Sequence, residues 1–327
     1  MHSSLYPFRF QPIVKEKIWG GTRIARLLGR DTGPMPRCGE SWEVSGLVDD
    51  ESVVTNGFLA ENNLNELLEI YLTDLVGEEN YEKYGLGFPL LIKYIDAQDN
   101  LSVQVHPDDE LAQKEYGQNG KTEMWHVLDA EPGSGLYIGF KEKLTLEQIE
   151  NAVNSGALAE LLRFYPVSPG DTFMIPAGTV HAIGKGVLLA EIQQPSDITF
   201  RLFDWNRVDD EGRSRELHVE EALKAIRLEE NLGEFKKAYE PKKNASVSLV
   251  RSQYFNVGRL DLDQPWTKNL VTLDSFVIYM CIDGKADMRF DGGSETMNKG
   301  DVLLVPADMQ EITLVPAPSA SLLEIYC

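Results

Sequence analysis

Apolar residues alternate with polar ones in short runs bracketed by glycine, the pattern of half-buried strands. Phe8-Arg9-Phe10 and Glu40-Ser41-Trp42-Glu43-Val44 read this way, and residues 88–97 (FPLLIKYIDA) form an apolar run fit for a buried strand. The period changes over 64–83. There Leu64, Leu67, Leu68, Tyr71, Leu72 and Leu75 recur at three- and four-residue steps and predict a helix. Alternation returns at 101–106 (LSVQVH), and 122–128 and 135–140 also read as strands. A second helical stretch is predicted over 144–163, with Gly156 as a weak point or a break between two short helices. Strands and turns fill 167–194, and a charged helix is predicted over 219–228. Residues 229–246 are polar, contain Pro241 and read as a linker. Beyond them, 247–327 is β-rich with regular turns.

The chain contains an echo of itself. Residues 170–178 (GDTFMIPAG) match 300–308 (GDVLLVPAD) at an offset of 130. In each, a Gly-Asp turn feeds a buried strand and Pro-Ala opens the next turn. Two units of one β-barrel type explain the match. The second differs where chemistry would sit, because Glu311 stands opposite His181 and no second His falls near. The expected organisation is therefore mainly β: a first unit over 1–235 with helical insertions at about 64–83 and 144–163, a linker over 236–246, and a metal-free β unit over 247–327.

Length and composition agree with this. The 327 residues match a prior of about two domains, and 43% hydrophobic with 25% charged residues is ordinary for a globular chain. With 31 Lys+Arg against 52 Asp+Glu the formal net charge is −21, which disfavours general nucleic-acid binding. A small anionic ligand would need a local basic pocket. The three cysteines, Cys38, Cys281 and Cys327, include no C-x-x-C pair, so neither a disulfide framework nor a Cys-rich zinc site is expected. The N-terminal stretch lacks an unbroken apolar segment, and no run of about 18 apolar residues occurs. No membrane association and a cytoplasmic location are the expectations.

Histidine narrows the chemistry, since the chain has only five. His2 lies at the terminus, and His218 sits beside the helix predicted from Val219. In a strand, side chains at i and i+2 share a face, so Gln104 and His106 point the same way. Glu123, on a later strand, and His181 can converge with them. Two His and a carboxylate on neighbouring strands, with an open position, suit a first-row divalent cation, and Gln104 can add a neutral oxygen. The alternative is that both His are merely hydrogen-bonded at strand ends. His126 is three residues from Glu123, on the opposite face, and reads as structural.

At these residues the sequence resembles the type I mannose-6-phosphate isomerases. FPLLIKYIDAQDNLSVQVHPDDELA, GKTEMWHVL, IPAGTVHAIG and EIQQPSDITFRLFDWNR carry the resemblance, and GESWEVSG (39–46) fits the family's N-terminal strand. The likeness covers most of 6–210 and the C-terminal β unit. It implies two cupin-type (jelly-roll) barrels and one zinc ion per chain, held by Gln104, His106, Glu123 and His181. Longer members carry a large helical insertion between the metal-binding Glu and the last His. Only the stretch at 144–163 fills that interval here, as in a short bacterial form.

The implied reaction interconverts mannose 6-phosphate and fructose 6-phosphate through a cis-enediol(ate), which needs an electrophile and a proton carrier. Glu191, ten residues after His181, is a candidate base or ring-opening catalyst; a salt-bridged strand residue is the competing reading. Arg201 and Lys121 match family positions facing the substrate, and Asp197 matches one that orients Arg201 or the substrate. Arg207 is a candidate for phosphate, and Trp125 for the pocket wall. Two rival functions remain at this level: another cupin metalloenzyme, such as an iron oxygenase, or a non-catalytic sugar-phosphate sensor. The basic set Lys121, Arg201 and Arg207 favours a phosphorylated substrate. The oligomeric state is left open.

Overall fold

In the computed structural model, which describes residues 5–209 and 211–327, the two Gly-Asp sequences form the same turn. Gly170 and Gly300 both adopt φ 94, a region glycine enters without a Cβ penalty. Gly170 N–H donates to Val127 O at 2.8 Å, and Gly300 N–H to Cys281 O at 2.7 Å. The Asp171 and Asp301 carboxylates accept from Ser168 N–H at 3.0 Å and Asn298 N–H at 2.9 Å. The strands Thr172–Ile175 and Val302–Val305 follow, and the next strands begin at His181 and Glu311. The echo is thus a repeat of structure. His2 lies outside the described residues.

The fold is mainly β, as expected. One seven-stranded sheet runs in the order Ile13–Gly21, Cys38–Val44, Leu91–Ala97, Val187–Gln193, Glu123–Ala130, Thr172–Ile175, Lys236–Lys237. A five-stranded sheet runs Phe200–Phe203, Val103–Val105, His181–Ile183, Gly135–Phe140, Leu162–Pro166. Trp125, Val127, Leu136, Ile138, Phe173 and Leu189 pack between these two sheets. Met124, Ile92, Tyr94 and Ala190 face the other way, into a core shared with Ile278, Met280 and Leu304. Period-two alternation in Met124-Trp125 therefore divides one strand between two cores.

A third sheet holds Ser246–Arg251, Asn256–Leu262, Glu311–Tyr326, Val277–Phe290 and Gly293–Asn298, with Trp266–Asn269 and Val302–Val305 on its long strands. It curls around its own core of Leu260, Tyr279, Met288, Leu303 and Leu322. All its pairings are antiparallel.

Two expectations need correction, and a third, the helical stretch over 144–163, breaks at Gly156 as expected but ends earlier. The stretch at 64–83 is broken twice: Leu64–Val76 is kinked at Leu72 (φ 47, ψ −118), and a separate helix runs over Glu78–Tyr84. Asn63 and Glu66 form a capping box at the start of the first. The Asp274 carboxylate accepts from Glu78 N–H at 2.7 Å and Glu79 N–H at 2.9 Å, capping the second from a distant part of the chain. At 144–163, the helix Leu146–Ser155 stops at Gly156 (φ 74), Leu158–Leu161 adds one turn, and Leu162–Pro166 is a strand. The polar stretch after 229 is not free of the fold. Phe235 is buried, Lys236–Lys237 pairs with Thr172–Ile175, and Asn231 is fully enclosed.

Candidate metal centre and adjoining cavity

Cross-strand pairing brings the site together. His181 lies directly opposite Gln104, and Glu123 opposite both Ile175 and Gln193. The strand Val103–Val105 ends just before His106, whose carbonyl accepts from Gly178 N–H at 2.8 Å. Asn231 sets the approach to His181: its Oδ1 accepts from Val180 N–H at 2.7 Å, and its Nδ2 donates to Gly178 O at 2.8 Å. Ligand atoms of His106, Glu123 and His181 all lie within 4.8 Å of one another, and all three residues are buried.

The tautomers follow from the partners. His106 Nδ1 lies 2.8 Å from Ile198 O and His181 Nδ1 2.9 Å from Thr179 O. A carbonyl only accepts, so each Nδ1 carries the proton and each Nε2 offers a lone pair. Those Nε2 atoms lie 3.6 and 3.4 Å from the Glu123 carboxylate. Burial, with the positive charge of Lys121, pushes His106 well below the ordinary imidazole value and His181 down to about 3. Both are neutral, as metal ligands must be. Burial also raises Glu123 to about 7, against the opposing pull of Lys121. Its Oε1 is buried with no hydrogen-bond partner, which costs free energy unless something else satisfies it. Two neutral imidazoles and an unsatisfied carboxylate oxygen fit a divalent cation. Gln104 turns its amide nitrogen toward His181 Nε2 at 3.3 Å, and half a turn about its last bond exchanges nitrogen for oxygen there.

Beside this cluster lies a cavity of about 290 Å³. Of the expected residues, Gln104, Lys121, Glu191, Asp197 and Arg201 line it. Lys121 hydrogen-bonds to Glu123 and lies 3.1 Å from His106 Nε2. Glu191 is 3.5 Å from Lys93, and the charges of Lys121 and Lys93 outweigh burial to hold its carboxyl below the usual value. Arg201 donates to Ser102 Oγ at 3.3 Å and to Glu216 O at 2.7 Å.

Two expected residues lie elsewhere. Trp125 is fully buried behind the cavity, not on its wall. Its indole N–H donates to Glu191 Oε1 at 2.9 Å, and its ring meets His181 edge-on with centroids 5.3 Å apart. Arg207 is turned to Asp204, at 2.7 Å, because the preceding Trp205 and Asn206 take left-handed φ of 57 and 54. Arg215, absent from the expectations, lines the cavity in its place and is held by Asp204 at 2.5 and 2.8 Å. Lys93, Lys17 and Glu40 were also missed. Lys93 had a signal, a basic residue inside an otherwise largely apolar buried strand. His126 stands apart from the cluster, with Nδ1 2.9 Å from Thr172 Oγ1.

The profile of the phosphomannose isomerase type I catalytic domain matches residues 7–130, and that of the mannose-6-phosphate isomerase cupin domain matches 245–317. The chain is 37% identical over 310 residues to the mannose-6-phosphate isomerase ManA of Bacillus subtilis, covering 94% of this chain and 95% of that one. It is 34% identical over 310 residues to the putative mannose-6-phosphate isomerase YvyI of the same organism, again covering 94% and 95%. The crystal structure of the Bacillus subtilis mannose 6-phosphate isomerase superposes with a TM-score of 0.89 at 31% identity, covering 99% of this chain and 100% of that one.

Proposed function

The chain belongs to the type I phosphomannose isomerase family, and from that membership we propose that it interconverts mannose 6-phosphate and fructose 6-phosphate through a cis-enediol(ate), with one zinc ion per chain. The observation that carries the reading is the convergence of two neutral imidazoles on the unpartnered Glu123 oxygen, at the edge of a hexose-sized cavity.

His106, Glu123 and His181 hold the ion, with Gln104 as a fourth donor. Bound zinc supplies Lewis-acid stabilisation of negative charge developing on the sugar oxygens. Glu191 is kept ionised by Lys121 and Lys93, the form able to accept a proton, and Trp125 fixes its orientation. It carries the proton between C2 and C1. Lys121 is held charged by Glu123 and Glu191, although burial opposes this, and can hydrogen-bond to a developing oxyanion. Arg215 lines the cavity as a cation and suits the phosphate, while Arg201 beside it can hold phosphate or stabilise the enediolate, with Asp197 also on the lining to orient Arg201 or the sugar.

The same reading places the metal in a first unit that runs on through its edge strand Lys236–Lys237, followed by a metal-free unit over 247–327, with the protein working in the cytoplasm. No helix is long and apolar enough to cross a membrane among the described residues. A coupled isomerase assay on mannose 6-phosphate, with and without a chelator, tests it: turnover that stops on chelation and returns with zinc is expected, and no turnover with zinc present would overturn it.

A further inference from the structure

The repeat extends beyond the Gly-Asp turn to the acidic residue beside the metal centre. In the first unit, Glu191 lies opposite Trp125 on one side and Lys93 on the other. In the third sheet, Glu324 lies opposite Tyr279 on one side and Gly258 on the other. The aromatic partner makes the same contact in both. Trp125 Nε1 donates to Glu191 at 2.9 Å, and Tyr279 O–H donates to Glu324 at 2.8 Å. One strand further out, Trp42 pairs with Lys93 and Glu40 with Ile95, whereas Ser248 pairs with Gly258 and Ser246 with Leu260. The frame is therefore kept while Lys93, Trp42 and Glu40 are replaced by Gly258, Ser248 and Ser246.

Those exchanges remove volume and leave polar atoms. A cavity of about 260 Å³ opens over Gly258, lined also by Ser246, Ser248, Asn256, Lys268 and Glu324. It is close to the 290 Å³ of the cavity at the metal centre. Glu324 is 2% exposed, yet its carboxylate accepts from Lys268 Nζ at 2.7 Å and Ser246 Oγ at 3.0 Å. Glu324 is buried while its ion-pair partner Lys268 keeps 19% of its side chain exposed, and burying a carboxylate is costly, so the pair is weak evidence for stability alone. Apolar packing already fills the rest of this core. Val277 stands opposite Val305 where Glu123 stands opposite Ile175, so the second unit has no counterpart of the metal-binding carboxylate.

We propose that the third sheet carries a second, metal-free binding site for a hexose-sized polyhydroxy ligand in the cavity over Gly258. Glu324 accepts from sugar hydroxyls, and Lys268, Ser246, Ser248 and Asn256 supply the complementary groups. Lys268 neutralises Glu324 directly, which leaves the hydroxyl-binding part of the cavity suited to a polyol. Arg251 lines the same cavity and can add affinity for a phosphate on it. The site stands independently of the isomerase reading.

Hydrogen–deuterium exchange on the full chain, with D-mannose or mannose 6-phosphate as probe, tests it. Protection over 246–258 and 322–326 is expected, separate from any protection over 104–125 and 181–201 that reports the metal centre. Gly258→Val fills the cavity. A Cβ there meets only Ser246 Oγ closely, at 2.6 Å, and Glu324 Oε2 at 3.6 Å. The variant is expected to lose the 246–258 and 322–326 protection while keeping wild-type isomerase activity. If it fails to fold, Lys268→Met replaces it, with the same loss expected. Greater protection by the phosphate than by D-mannose would assign Arg251 a part in the site. Protection by neither probe, or protection that persists in the folded variant, overturns the proposal.

Discussion

Trp125 and Glu191 are direct cross-strand partners, and the indole N–H donates to the carboxylate at 2.9 Å. The contact fixes which oxygen of Glu191 faces the cavity. Trp125→Phe keeps an aromatic ring but removes the donor, along with the volume of the indole's second ring. The expected result is a fall in kcat of about tenfold, the equivalent of one hydrogen bond to a charged group, with KM little changed. Steady-state kinetics on mannose 6-phosphate check it, and unchanged kcat would remove the positioning role.

Arg201 and Arg215 approach the cavity from the same wall, and Arg207 does not line it. Arg215→Ala is expected to raise KM for the phosphorylated substrate about tenfold or more, while Arg207→Ala has a smaller effect. Arg201→Ala is expected mainly to lower kcat. A larger KM effect from Arg207→Ala than from Arg215→Ala would restore the assignment made from sequence.

Asn231 satisfies Val180 N–H, Gly178 O and Arg227 O from a fully buried position. Asn231→Ala leaves these groups without partners and is expected to cost about 3 kcal/mol. Because Val180 precedes His181, metal affinity should fall as well. Denaturant unfolding and a competitive chelator titration measure the two effects, and an unaffected affinity would limit Asn231 to stability.

Glu40 gives a pH signature. Burial raises its pKa, but Lys93, Lys17 and the Trp42 N–H outweigh that and bring it from 4.5 down to about 2. A carboxyl depressed in the folded state stabilises above its unfolded value and loses that contribution as pH falls toward the folded one. Wild type is therefore expected to exceed Glu40→Gln in stability by up to about 3 kcal/mol at neutral pH. The gap should close between about pH 4.5 and 2. A gap independent of pH in thermal melts would assign the cost to packing.

Period-two spacing was enough to place Gln104 with His106, and to set His126 apart, because strand geometry is local. Gly170 and Gly300 were legible as a repeat because a turn at φ 94 demands glycine in both copies. The helix break near Gly77 was not legible, since the cap comes from Asp274. Arg207 and Arg215 were indistinguishable by spacing. Two left-handed residues at 205 and 206 turn one away, and nothing in a charged loop announces that. Period two puts Trp125 on the face of Glu123, but its depth behind the cavity depends on Phe173 and Ile138 packing with it from other strands, which spacing does not show.

The central claim is that His106, Glu123 and His181 assemble one zinc site on which isomerisation depends. Metal analysis of the purified chain, paired with the coupled assay before chelation, after it and after zinc return, tests that most directly. One zinc per chain is predicted, with activity lost and regained in step and His181→Ala both metal-free and inactive. Full turnover by a metal-free chain would contradict the account.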